Sequence, residues 1–94
     1  MLTYDEAKKM VLEDCKSATG ADHIVSSAWE LPDSFVFGCL PKDEGDRGSH
    51  SYDQVFKDEQ HPDFGLSPVH LTAYTPESRA RIRSLSTKTA RRIV

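Results

Sequence analysis

Long apolar runs are missing from this sequence: the longest, Phe35 to Leu40, is six residues. A helix needs about twenty to cross a bilayer, so the chain is not expected to be an integral membrane protein. Cysteine is scarce as well. Cys15 and Cys39 stand without a Cys-x-x-Cys pair or a neighbouring His at zinc-ligand spacing. That excludes a disulfide-dense secreted scaffold and favours free thiols in a reducing compartment. Met1 to Ala18 interleaves charged and apolar residues and lacks the unbroken apolar stretch of an export signal. The expected location is the cytoplasm. Aromatics are few, with one Trp, three Tyr and four Phe among 94 residues. The core must therefore be thin, and the chain has room for one domain over 1–94.

Signatures of chemistry are equally sparse. There is no Gly-x-Ser-x-Gly elbow and no glycine-rich phosphate loop, and the surroundings of neither cysteine plainly lower a thiol pKa. His23, His50, His61 and His70 are too far apart in sequence to make the close ligand pairs of a structural zinc site. Asp43, Glu44 and Asp46 cluster, but no EF-hand spacing follows them. No cofactor, metal site or catalytic residue is expected, and the chain is read as a non-enzyme. A small enzyme without a recognisable motif stands third among the readings. Acids are absent from residues 78–94, which hold six of the twelve Lys/Arg, while residues 1–77 hold all fifteen acids. Six bases without interleaved aromatics make a weak nucleic-acid footprint, so nucleic acid is not the expected partner.

What is present reads as an α+β domain, one N-terminal helix against an antiparallel sheet of about four strands. Thr3 and Glu6 have the spacing of a capping box, and Ala7, Met10, Val11, Cys15 and Ala18 recur at helical intervals up to Thr19-Gly20. His23 to Leu31 is rich in β-favouring residues, and Pro32-Asp33 turns the chain into Ser34 to Leu40. That second strand is apolar on both faces, the mark of a central strand, and Gly38 within it suits close approach by a neighbour. Residues 41–67 hold seven acids and few large apolar side chains, and are read as a long acidic loop. A short helix is possible where Tyr52, Val55 and Phe56 fall at i, i+3 and i+4. Pro68 to Tyr74 alternates like a strand, Thr75 to Ser78 reads as a turn, and Arg79 to Leu85 reads as the hairpin partner with Arg81 and Arg83 outward.

The segments Leu2-Thr3-Tyr4-Asp5-Glu6-Ala7, Ser27-Ala28-Trp29-Glu30, Phe35-Val36-Phe37, Pro68-Val69 and Arg81-Ile82-Arg83-Ser84-Leu85-Ser86 resemble small bacterial YrhB-like domains and the related immunity proteins of polymorphic toxin systems. The resemblance covers about residues 2–40 and 68–86 and implies a helix on a small sheet that acts by binding. It transfers no catalytic residue. Two departures stand out: Thr75-Pro76-Glu77-Ser78-Arg79 lacks the glycine of the family's late hairpin turn, and the acidic insertion is longer than the family's.

The resulting expectation is a protein-binding module, in its most specific form an immunity or inhibitor protein that occludes a basic toxin. The alternative is a secretion-type chaperone that holds an effector segment, and a homodimer is compatible with either. The expected contact surface is the acidic loop, with Asp43, Glu44, Asp46 and Asp53 around Tyr52 and Phe64, since acids speed capture of a basic partner and aromatics anchor it.

Overall fold

The computed structural model describes residues 2–42, 52–65, 68–72, 74–85, 87 and 90–94. Helix α1, Tyr4–Thr19, begins at the expected capping box: the Glu6 N–H donates to Thr3 Oγ1 at 3.2 Å and the Thr3 N–H to Glu6 Oε1 at 3.1 Å. Both are donors that an uncapped helix start would leave unpaired. Gly20 ends the helix with φ +77°, a left-handed turn that side chains rarely adopt. The stripe is shorter than its spacing suggests. Ala7 and Val11 are buried and Met10 and Cys15 half-buried, but Ala18 lies in the exposed last turn.

Strands β1 (His23–Glu30), β2 (Ser34–Pro41), β3 (Tyr52–Phe56), β4 (Val69–Leu71) and β5 (Arg91–Arg92) form one antiparallel sheet in the order β4-β3-β2-β1-β5. The α+β architecture is as expected, with five strands instead of about four. Two elements differ in kind from the sequence reading. Residues 52–56 are a strand, not a short helix or loop, because Tyr52, Val55 and Phe56 are drawn into the edge of β2 in the register Ser34↔Phe56 to Phe37↔Asp53. Residues 76–84 are helix α2, Pro76–Ser84, and not a hairpin strand. The Thr75 side chain accepts from the Ser78 N–H at 3.2 Å and Pro76 occupies the first turn, so the apparent turn is a helix start.

β2 sorts the core into two halves. Phe35 and Phe37 point to the α1 side, where they join Ala7, Val11, Ala28 and Val55. Val36 points the other way and packs with Leu31, Leu71 and Leu85. β1 meets both halves by means of a bulge: the register passes from Val25↔Cys39 to Ser27↔Gly38, leaving Ser26 extra. In an unbulged strand Val25 and Ala28, three positions apart, would face opposite sides; with Ser26 bulged out of the count, both pack toward α1. Tyr4 closes this half, its ring 5.6 Å from that of Phe37 and 5.8 Å from that of Phe35.

Charge is used at the border of the same half. Lys57 Nζ lies 2.8 Å from Glu30 Oε2 and 4.9 Å from the centre of the Phe35 ring, while Arg91 Nη2 holds the other Glu30 oxygen at 2.7 Å. The Lys57 hydrogen bond, reinforced by the Lys57 and Arg91 charges, holds the Glu30 carboxyl below the ordinary glutamate range although burial works against it. A carboxyl more acidic in the folded than in the unfolded chain stabilises the fold above the ordinary glutamate pKa, and that contribution fades as pH falls through the folded value.

Two outcomes follow. Phe37→Ala, which empties the centre of the α1-side core, should cost about 3–5 kcal/mol and largely unfold the domain, as read by thermal melting with circular dichroism. An unchanged melting temperature contradicts the central placement of β2. Glu30→Gln should lower the melting temperature at pH 7 and flatten its fall between about pH 5 and pH 3; a fall as steep as in the wild type removes Glu30 from the acid response.

Candidate functional site

The expected contact residues do not form one surface in the described structure. Asp43, Glu44 and Asp46 lie outside the described residues, as does His50. Asp53 is buried and turned toward the α1 side, so it is no part of an exposed acidic rim. Its Oδ1 lies 3.1 Å from His70 Nδ1 on β4, and Cys15 Sγ approaches Oδ2 at 3.9 Å. Phe64 is half-buried in the turns after β3. His61, expected on the loop surface, is half-buried and stacks on Phe56 with ring centres 4.0 Å apart and planes 11° from parallel. Of the three that are described, Tyr52 lines a cleft, and it does so on the opposite sheet face from Asp53 because successive strand residues alternate.

The chain of Cys15, Asp53 and His70 has the residue types of a nucleophilic triad but not their order. The carboxylate stands between the thiol and the imidazole, so the base that would take the thiol proton is not beside it. Burial and the Asp53 charge both raise the Cys15 pKa, and burial, then Cys15 and Asp53, push Cys39 up to about 12. Both thiols are free and half-buried. The arrangement keeps them protonated. Among the described residues no three His, Cys, Asp or Glu side chains converge in the manner of metal ligands.

The other sheet face offers a different kind of site. A cleft of about 490 Å³ lies between the sheet, α2 and β5, within the usual range of ligand-binding clefts. Its floor is Trp29 and Tyr52, whose rings meet edge to face with centres 5.6 Å apart. Ile82 from α2, Leu85 at its C-cap and Ala90 form its apolar wall, and Arg92 closes it with its guanidinium 5.2 Å from the indole centre. Gly38 makes room for this floor. A Cβ there would collide with Ser27 Oγ and come within 3.2 Å of the Tyr52 ring, so the close approach expected at Gly38 is made by side chains on the face away from α1. Sequence reasoning missed the cleft because it needs α2, and the cue that went unused was Thr75-Pro76 as cap and first helical position.

A second hollow runs between α1 and the start of β1, lined by Lys8, Leu12, His23, Ile24 and Lys42 among others. Its charges alternate in sign, and Lys16–Asp22 at 3.1 Å with Lys9–Glu13 at 4.0 Å neutralise part of them locally. It has no aromatic floor and reads as a solvated groove.

With both thiols held protonated, native protein at pH 7.5 should react with a chromogenic disulfide reagent at least about tenfold more slowly than the unfolded chain, Cys39 the slower of the two. Rapid labelling of both in the native state contradicts the protonated state of the two thiols.

No protein-family model, curated protein or solved structure matches this chain.

Proposed function

We propose that the chain is a protein-binding module whose contact surface is the Trp29–Tyr52 cleft. The observation that carries this is the covering of the second sheet face by a helix too short to seal it. α2 spans nine residues and buries none of them completely, so two aromatic rings, an isoleucine and an arginine border an open cleft. Aromatic and arginine side chains are enriched where proteins bind one another, since they give large contact area for little entropy loss. Tyr74, two residues before α2, is 90% exposed. The likeness to immunity proteins supports a specific form of the reading, in which binding inhibits the partner by occluding it.

Ile82→Asp places a charge on the cleft wall at a half-buried helix position at the margin of the Val36 core. It should leave the far-ultraviolet circular dichroism spectrum intact and abolish capture of those partners that the wild-type chain retains from its source lysate, compared by quantitative mass spectrometry. The same partners retained at equal abundance by the Ile82→Asp protein would move the contact surface elsewhere.

A further inference from the structure

The charge around the cleft is of one sign. Among its described lining residues none is acidic and Arg92 is basic. Arg79 lies one helical turn from Ile82, and Arg81 and Arg83 flank Ile82 in sequence; all three arginines are exposed. Arg79 and Arg83 make no ion pair with the described residues; Arg81 lies 5.7 Å over the Phe56 ring, and Arg91 is bound to Glu30. Residues 78–94, which supply β5 and all of α2 beyond its first two residues, hold no acid, and Glu77 in the first turn is the one acid of α2. The fold has thus set the basic end of the chain around the aromatic floor.

Resting on the binding reading above, we infer that the cleft takes an acidic segment of another protein, anchored by one aromatic or branched aliphatic side chain against Trp29, Tyr52 and Ile82. The carboxylates of the segment meet Arg92 and the exposed arginines of α2, where each pair is a charge-assisted hydrogen bond. A single-stranded nucleic acid is the other polyanion that aromatics and arginines can hold, but it needs open ring faces. Here Arg92 already lies over the indole and Tyr52 meets Trp29 edge to face. The fifteen acids of residues 1–77 would also repel a long polyphosphate more than a short peptide. Charge complementarity therefore selects a peptide with local negative charge, and the apolar wall selects its anchor. This partner surface is opposite in sign to the acidic loop expected from sequence.

The test is to pan a displayed random dodecapeptide library on the full chain and to titrate the enriched peptides. Trp29 is the only tryptophan and reports occupancy by its emission. Enriched sequences should carry two or more Asp or Glu residues around one aromatic or aliphatic position and shift Trp29 emission saturably. Peptide anisotropy should show binding weakened at least about tenfold by Arg92→Glu or Arg79→Glu in protein with unchanged circular dichroism, and by added salt. Replacing the peptide acids by Asn and Gln should weaken it likewise. Enriched peptides that are neutral or basic, and lose binding with Ile82→Asp, would overturn the acidic partner while leaving the binding reading in place. Acidic peptides indifferent to both arginine variants would overturn the site. A twelve-nucleotide oligothymidine that shifts Trp29 at lower concentration than any peptide would assign the cleft to nucleic acid. No enrichment above background would overturn the binding reading and the partner together.

Discussion

Strand β2 carries phenyl rings on one face and Val36 on the other, and neither can be left to water without losing the core. Both sides of the sheet therefore need covers. α1 supplies the first with Ala7 and Val11, flanked by Met10 and Cys15. The second is a by-product of connectivity: the chain leaves β4 at one edge and must reach β5 at the other, so it has to cross a face, and α1 already occupies one. α2 makes that crossing. Nine residues reach only about 13 Å as a helix, less than the width of five strands about 4.8 Å apart. The cleft lies where this short cover joins the C-terminal strand.

Elements whose signals are local were legible in the sequence. The capping box, Gly20, the Pro32-Asp33 turn and the two-sided apolarity of Ser34 to Leu40 each specify structure within a few residues, and α1, β1 and β2 follow them. β3 was not legible, because three of its neighbouring buried positions are polar. Asp53, Gln54 and Lys57 are buried through partners distant in sequence: His70, Ser34 at 2.7 Å and Glu30. Hydrophobic periodicity cannot anticipate such pairs. Arg-Ala-Arg-Ile-Arg alternates as an exposed strand would, and only the cap at Thr75 distinguishes the helix it becomes.

The candidate site shows the same division. Its aromatic members were visible one by one, Trp29 near the end of a strand and Tyr52 in an acidic stretch, but their meeting depends on the β1–β2–β3 register and on Gly38 being small enough to admit the Tyr52 ring. The uneven distribution of charge was plain in the sequence, whereas its location was not. Folding turns Asp53 inward, ties Arg91 to Glu30 and sets Arg92 of β5 with α2 at the cleft, so the linear asymmetry becomes a difference between surfaces.

The bulge at Ser26 has a second consequence. β5 pairs with β1 only at Trp29 and Glu30, with further backbone bonds at Ala28, so among the described residues the outer edge of β1 from His23 to Ser27 has no strand beside it. Ile24 on that stretch is 48% exposed. A straight, apolar open edge of this length would invite another chain to add a strand and start an aggregate. The irregular backbone at Ser26 interrupts the even spacing of donors and acceptors that such growth requires. The residue that lets Val25 and Ala28 share one core thereby also protects the folded chain from polymerising through its free edge.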